Sequence, residues 1–318
     1  MAATKWASSG LDREHCVSDI STPVGRLALG TAQLGMPYGV ANRRGQPSAD
    51  EAEEMLEYAL RGGIRCLDTA GGYGDAESVI GRHLRARAAG PDVAVVTKLA
   101  PLSEDAAGVT AALAASRRRL GFAPTAALLH DPRQIAGWEG PLGAALRDCR
   151  ALGQVQAIGV SVYTPEQFAL ALELQEIDLV QAPMSVLDRR IERAGLLERA
   201  RTVGVSVMLR SVFLQGLLLL PAKAHPQWLG STAAPLARWR ELCERYEVAP
   251  QHAALRFVLQ RTAPAGVVVG CESVGQLREL LAAAGGPELA VELVADLEEL
   301  AELAGADARL IDPRSWPV

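Results

Sequence analysis

The chain has 318 residues, with 32 Lys and Arg against 37 Asp and Glu for a formal net charge of −5, and it is 49% hydrophobic and 22% charged, a globular balance long enough to bury a full core. The mild acidity and the lack of a basic stripe argue against nucleic-acid or anionic-membrane surfaces, which need concentrated positive charge. Five cysteines (Cys16, Cys66, Cys149, Cys243, Cys271) are odd in number and too widely spaced for a zinc site, which reads as reduced thiols in a cytoplasmic protein without a metal.

Residues 1–22 hold no continuous apolar segment of the secretory type and are expected to be disordered. From there short β-type runs alternate with helical periodicity. LALGT (27–31) is followed by a helix over 50–61, GIRCLD (63–68) by a helix over 76–88, and VAVVTK (93–98) by a helix over 106–120 that ends in the basic run Arg117 to Arg119. AALLH (126–130), VQAIGVS (155–161) and DLVQA (178–182) precede helices over 140–152, 165–174 and 191–203. GVSVML (204–209) is separated from GVVVG (266–270) by an insertion over 210–265. The insertion carries an apolar loop and helical patterns over Ala234–Tyr246 and Pro250–Arg261. Its most apolar run, Leu214 to Leu220, is too short for a bilayer, which needs about 20 residues.

Eight strands apolar on both faces, each followed by a helix, describe a parallel sheet covered by helices, which closes most naturally into an α/β (β/α)8 TIM barrel. The predicted organisation is one barrel domain over 23–303, with the insertion over its C-terminal mouth and an extended tail over 304–318. An open doubly wound sheet would want a G-x-G-x-x-G turn after the first strand, where this chain reads AQLGMPYG.

Asp68, Lys98 and His130 end consecutive predicted strands, and Tyr73 lies in the loop after the second. Polar groups at those positions are expected of catalytic residues, because one layer down the same faces fill the core. Each alone has an ordinary structural explanation; together they make a proton-donating set. A phenol with a pKa near 10 is a poor acid unless a cation steadies its phenolate. Lys98, held by Asp68, can be that cation, and His130 can orient a carbonyl oxygen. Such a set protonates an oxygen on which charge grows as hydride arrives, and the hydride must come from a nicotinamide cofactor.

Several segments resemble the aldo-keto reductase superfamily: GTAQLG (30–35), CLDTAGGYGDAESVIGRHL (66–84), VVTKL (95–99), LLHDP (128–132), IGVSVY (158–163), Gln181, SVFLQGLLL (211–219) and VVVGCESVGQLREL (267–280). The resemblance implies a barrel that reduces aldehydes and ketones, or oxidises alcohols, with NADPH and occasionally NADH. It makes Tyr73 the general acid, tuned by Lys98 and Asp68, with His130 positioning substrate. It places Thr31 in the cofactor site and gives Ser161 and Gln181 the nicotinamide carboxamide. Ser211, Phe213 and Gln215 take the pyrophosphate, and Gly270, Glu272, Ser273, Gln276 and Glu279 the adenosine phosphate.

Three positions depart from the family pattern. Val162 stands where Asn is usual, which removes a carboxamide hydrogen bond. Arg210 stands where an aromatic usually stacks on the nicotinamide, and covers that ring, contacts the substrate or turns outward into an ion pair. Glu272 occupies a loop that is usually basic where it reads a 2′-phosphate. NADP is the expected cofactor, with NAD the alternative if Glu272 faces the ribose. The partner is a small carbonyl compound or sugar. Ala32 and Gln33 suggest a roomy polar pocket; Arg43, Arg44, Arg133 and Arg210 read first as ordinary loop surface and otherwise as groups greeting a carboxylate, phosphate or sugar hydroxyls, and Trp138, Trp228 and Trp316 are candidates for walling the site. Two other readings stay open: a Schiff-base lyase acting through Lys98, and a non-catalytic cofactor-binding subunit that senses redox state.

Overall fold

Side chains alternate between the two faces of a strand, and here the alternation sorts each stave of the sheet into an inner and an outer set. The computed structural model describes residues 22–87, 92–99, 105–261, 266–304 and 307–317, so the N-terminal segment expected to be disordered, with Cys16, lies outside the described residues apart from Thr22. Eight strands, β1 (Leu27–Gly30), β2 (Cys66–Asp68), β3 (Ala94–Leu99), β4 (Ala126–Leu129), β5 (Ala157–Ser161), β6 (Leu179–Pro183), β7 (Ser206–Arg210) and β8 (Gly266–Gly270), pair in parallel in chain order, and β8 closes onto β1. The inner set is a small apolar cluster of Ala28, Cys66, Ala94, Val96, Ala126, Leu128, Ala157, Leu179 and Met208. Five of its nine members are alanine or cysteine, which suits a narrow barrel interior. The outer set, including Leu29, Leu67, Val95, Ile158, Val180 and Val269, packs against the surrounding helices in the main core.

Most helices start and stop where their sequences say they should, but the one expected over 191–203 is two, Arg190–Arg193 and Leu196–Val203, separated at Gly195 in the left-handed conformation. Ser48 and Glu51 form a reciprocal cap on the helix Ala49–Arg61, and Thr164 with Gln167 does the same for Pro165–Ala171. The helix Ala106–Leu120 ends at Gly121 in the left-handed conformation, with Arg117 to Arg119 in its last turn. Arg119 then reaches inward: its Nε donates to Glu77 Oε2 at 2.6 Å, and Thr97 of β3 donates to the other oxygen at 2.6 Å. Glu77 is buried and opens the helix Ala76–Ala86, so one carboxylate ties that helix to β3 and to its neighbour.

The insertion contains the helices Ala234–Arg245 and Pro250–Leu259, preceded by 3-10 turns. Two further helices, Val274–Gly285 and Val291–Ala304, follow β8. The second packs back on the insertion, where the Tyr246 hydroxyl donates to Asp296 at 3.0 Å. The tail is not extended as its sequence suggested. It forms a helical turn at Ala308–Ile311 and a 3-10 turn at Pro313–Ser315 capped by Asp312, because Leu310, Ile311 and Trp316 have apolar surface to bury. None of the four described cysteines is in a disulfide, no described helix is long and apolar enough to cross a membrane, and no metal-binding cluster occurs among the described residues.

Candidate active site

Inward parity at the C-terminal strand ends brings the polar side chains together. Asp68, Lys98, Ser161 and Arg210 keep the phase of the inner residues of their own strands, Cys66, Ala94 with Val96, Ala157 and Met208, and His130 follows β4 in the same phase. All five line one cleft of about 790 Å³ at the mouth of the barrel. Tyr73 joins them from the β2 loop, which is pinned by backbone bonds from Gly71 to Lys98 at 2.9 Å and from Ala76 to Tyr73 at 3.0 Å. Against this loop lies the single turn Ala32–Gly35, packed so closely that a Cβ on Gly35 would come within 1.9 Å of the Tyr73 carbonyl.

At the floor Lys98 Nζ donates to Asp68 Oδ1 and Oδ2 at 2.8 and 2.7 Å and to the Thr69 carbonyl at 3.0 Å. An ammonium has three donors, so none is left for Tyr73, although Nζ stands 5.1 Å from that ring. The expected link from Lys98 to the phenol therefore takes the form of proximity rather than a hydrogen bond. Lys98 is 1% exposed, and a Schiff base would require breaking this pair, which counts against the lyase reading.

The rings of Tyr73 and His130 meet edge to face, 5.9 Å apart at 86°. Burial, and then the Asp68 carboxylate, push the Tyr73 phenol above its ordinary value, against a pull from Arg210, so it is a protonated donor. Burial also lowers His130 to about 4, helped by the charges of Lys98 and Arg210, which leaves a neutral imidazole at physiological pH.

Thr31 lines the cleft, but its hydroxyl donates to the Asp68 carbonyl at 2.9 Å. Gln181 is fully buried below the cleft surface. Its Nε2 donates to Asp68 Oδ1 at 2.7 Å, and its Oε1 is a buried acceptor without a donor among the described residues. Val162 points into the outer core, as parity requires of the residue after Ser161.

Arg210 is held by two bonds, from Nη1 to Ser211 Oγ at 3.1 Å and from Nη2 to the Val162 carbonyl at 2.9 Å. Its guanidinium lies 4.2 Å from the Tyr163 ring centroid, and Arg314 of the tail lies 3.6 Å from the same centroid.

The loop after β7 carries Ser211, Phe213 and Gln215 along the cleft. Ser211, Leu214 and Gln215 have positive φ, a strained conformation for residues with side chains. The amides of Val212, Phe213 and Gln215 have no acceptor among the described residues, and such turns make anion nests. Gln215 also donates to the Tyr38 hydroxyl at 3.3 Å, and its carbonyl accepts from Ala41 at 3.3 Å, so the β1 and β7 loops touch across the cleft.

After β8, Gly270, Glu272, Gln276 and Glu279 line the cleft and Ser273 does not. Ser273 caps the helix by accepting from the Gln276 amide at 3.2 Å, while Gln276 Oε1 accepts from the Glu272 amide at 2.7 Å. The Glu272 carboxylate has no hydrogen bond or salt bridge among the described residues, and burial raises it above its usual range against a weaker pull from Arg44. Of the nearby cations, Arg278 is held at Tyr58 and Arg44 at Glu51.

Ala32 and Gln33 both line the cleft, Gln33 against Gly270 at the β8 side. Other candidates for the pocket do not reach it. Arg43, Arg44 and Arg133 do not line the cleft, and Arg133 pairs with its own neighbour Asp131. None of the three tryptophans is a wall: Trp138 is core, donating to the Gln175 carbonyl at 2.9 Å, and Trp228 stacks on Trp316 at 5.3 Å. Conversely, Tyr38, Tyr163, Arg240 and Arg314 line the cleft without having been expected. Tyr163 was within reach, lying two residues past an inward serine. Arg240 and Arg314 carry no local signal.

Residues 26–302 match the profile of the Aldo/keto reductase family. The chain belongs to that family. It is 26% identical over 295 residues to the NADH-specific methylglyoxal reductase of Escherichia coli K12, covering 81% of this chain and 89% of that one. It is 28% identical over 309 residues to the pyridoxal 4-dehydrogenase of Microbacterium luteolum, covering 80% and 87%. In fold it is similar to an aldo-keto reductase of Bacillus halodurans in its holo form, with TM-score 0.71 and 24% identity over 87% of this chain and 92% of that one. The glycerol dehydrogenase of Gluconobacter oxydans gives TM-score 0.69 and 22% identity over 96% and 97%. As an aldo/keto reductase the chain is an oxidoreductase of a family that works with a nicotinamide cofactor.

Proposed function

We propose that this chain is an NAD(H)-dependent reductase of small polar aldehydes or ketones, working equally as a dehydrogenase of the matching alcohol or sugar, with Tyr73 as the group that gives and takes the proton. The observation that carries the reading is the convergence of Tyr73, neutral His130 and the Lys98–Asp68 pair on one cleft. A nicotinamide dinucleotide supplies the hydride when bound. The polar atoms left over fit such a group: Gln181 Oε1 is an acceptor for an amide N–H, and the unused amides of the β7 loop are donors for a pyrophosphate.

Tyr73 holds its proton until negative charge grows on the substrate oxygen, and His130 offers a neutral N–H to the same oxygen. The buried Lys98–Asp68 pair keeps the cleft floor close to neutral and, through the backbone bond from Gly71 to Lys98, fixes the loop that carries Tyr73.

The alternative cofactor left open by the sequence is favoured here. Glu272 lines the cleft without a hydrogen bond or salt bridge among the described residues, Arg278 and Arg44 are committed elsewhere, and a 2′-phosphate beside Glu272 meets like charge. The relative in Escherichia coli, named as NADH-specific, points the same way. The unbridged thiols suit a cytoplasmic setting.

The test is a fluorescence titration with NADH and NADPH, followed by an aldehyde panel on wild type and Tyr73→Phe. Saturable binding with turnover lost in Tyr73→Phe is expected. Binding without turnover by wild type would favour a redox-sensing subunit.

A further inference from the structure

Of the cations that line the cleft, Lys98 is paired with Asp68 and Arg314 with Asp312, whereas Arg210 and Arg240 have no salt bridge among the described residues. Arg240 is held at the Leu220 carbonyl, away from the polar strand ends. Arg210 has no ion-pair partner among the described residues and uses its donors on a carbonyl and a hydroxyl, both neutral. Its position is fixed from three sides by Ser211, the Val162 carbonyl and the Tyr163 ring.

That position is informative. In the barrel β6 lies between β5 and β7. The guanidinium leaves the end of β7 and bonds to the residue that follows β5, so it spans the end of β6, where Pro183 is level with Arg210. Two residues back on β6 is Gln181, with its unsatisfied Oε1, paired in register with Ser161 of β5. Those are the groups suited to an amide-bearing ring, and a planar cation without a salt bridge spans the strand ends above them.

A dihydronicotinamide ring is neutral, whereas the oxidised ring carries a positive charge. We propose that Arg210 is the specificity-determining residue by which this cleft distinguishes the two redox states, binding NADH more tightly than NAD+ through repulsion of the oxidised ring. The inference rests on the nicotinamide-dependent reading above. It biases a mixture of the two forms toward NADH in the cleft and leaves the overall equilibrium between carbonyl and alcohol unchanged. The field of Arg210 already reaches both Tyr73 and His130, opposing the rise of the one and adding to the fall of the other.

The experiment compares dissociation constants for NAD+ and NADH, at low ionic strength to limit screening, in wild type, Arg210→Gln and Arg210→Lys. Gln keeps a donor and removes the charge; Lys keeps the charge. The ratio Kd(NAD+)/Kd(NADH) is expected to fall about tenfold in Arg210→Gln, which for a two-electron couple is about 30 mV, and to stay within threefold of wild type in Arg210→Lys. An unchanged ratio in Arg210→Gln, or equal weakening of both forms, overturns the proposal. So does an unchanged ratio with KM raised only for carboxylate-bearing aldehydes, which would assign Arg210 to an anionic substrate. Failure of wild type to bind either form would instead remove the nicotinamide-dependent reading itself.

Discussion

Lys98 Nζ donates to both carboxylate oxygens of Asp68, at 2.8 and 2.7 Å, and both residues are almost fully buried. A buried ion pair gains little over apolar residues of the same size, but removing one partner strands the other charge. Asp68→Ala should therefore lower stability in urea by about 3–5 kcal/mol, and the double variant Asp68→Ala with Lys98→Met should lose clearly less than the sum of the two single changes. Additivity of the singles would mean that the pair does not act as a unit.

On the proposed reading Tyr73 contributes chemistry rather than stability, and no hydrogen bond of its hydroxyl occurs among the described residues. Tyr73→Phe is expected to reduce kcat by about 10²–10⁴-fold, with the thermal midpoint and the Kd for NADH nearly unchanged. A large fall in the thermal midpoint would show that the phenol has a structural role.

The depressed His130 gives a pH dependence of definite sign. Its folded value is about 4 against 6.5 for the free side chain. Below pH 6.5 the unfolded chain takes up the proton first, so this group's contribution falls as pH drops from 6.5 toward 4 and is constant above. Wild type should lose stability over that window more steeply than His130→Asn, as read from urea midpoints at pH 7, 6, 5 and 4.5.

Glu272→Gln removes the carboxylate without adding a cation. If the proposed reading holds, the preference for NADH over NADPH should shrink about tenfold in dissociation constants, chiefly through tighter NADPH. No change would mean that Glu272 is turned away from the ribose in the complex.

Gly35→Ala tests the packing that holds the Tyr73 loop. With the Tyr73 carbonyl 1.9 Å from the new Cβ, the loop has to move, and kcat should fall by more than tenfold while the eight-strand core keeps its far-ultraviolet circular dichroism.

Much of this site was legible because a strand has a period of two. Ala94 and Val96 facing in makes Lys98 face in, and Ala157 facing in does the same for Ser161. The periodicity says which face, but not which groups meet across the barrel. The three bonds that withhold Lys98 from Tyr73 depend on the Thr69 carbonyl, a backbone atom with no sequence signature. Arg314 and Arg240 were hidden for a different reason. Neither lies on a strand, and each reaches the cleft because distant apolar residues, Trp316 against Trp228 and Trp239 beneath Leu218, pull its segment over the mouth. The same apolar demand turned a tail read as extended into helical turns.

The packing of Arg210 and Arg314 on the one ring of Tyr163 has a bearing on how the cleft comes into being. Arg314 follows every strand in the chain, while Arg210 ends the seventh stave and Tyr163 lies two residues past the fifth. On a ribosome the barrel's staves emerge first, and Arg314 arrives only after the last of them. A chain that has just closed its barrel thus presents Tyr163 without one of its two arginines, and the rim of the cleft takes its final form only after the barrel itself.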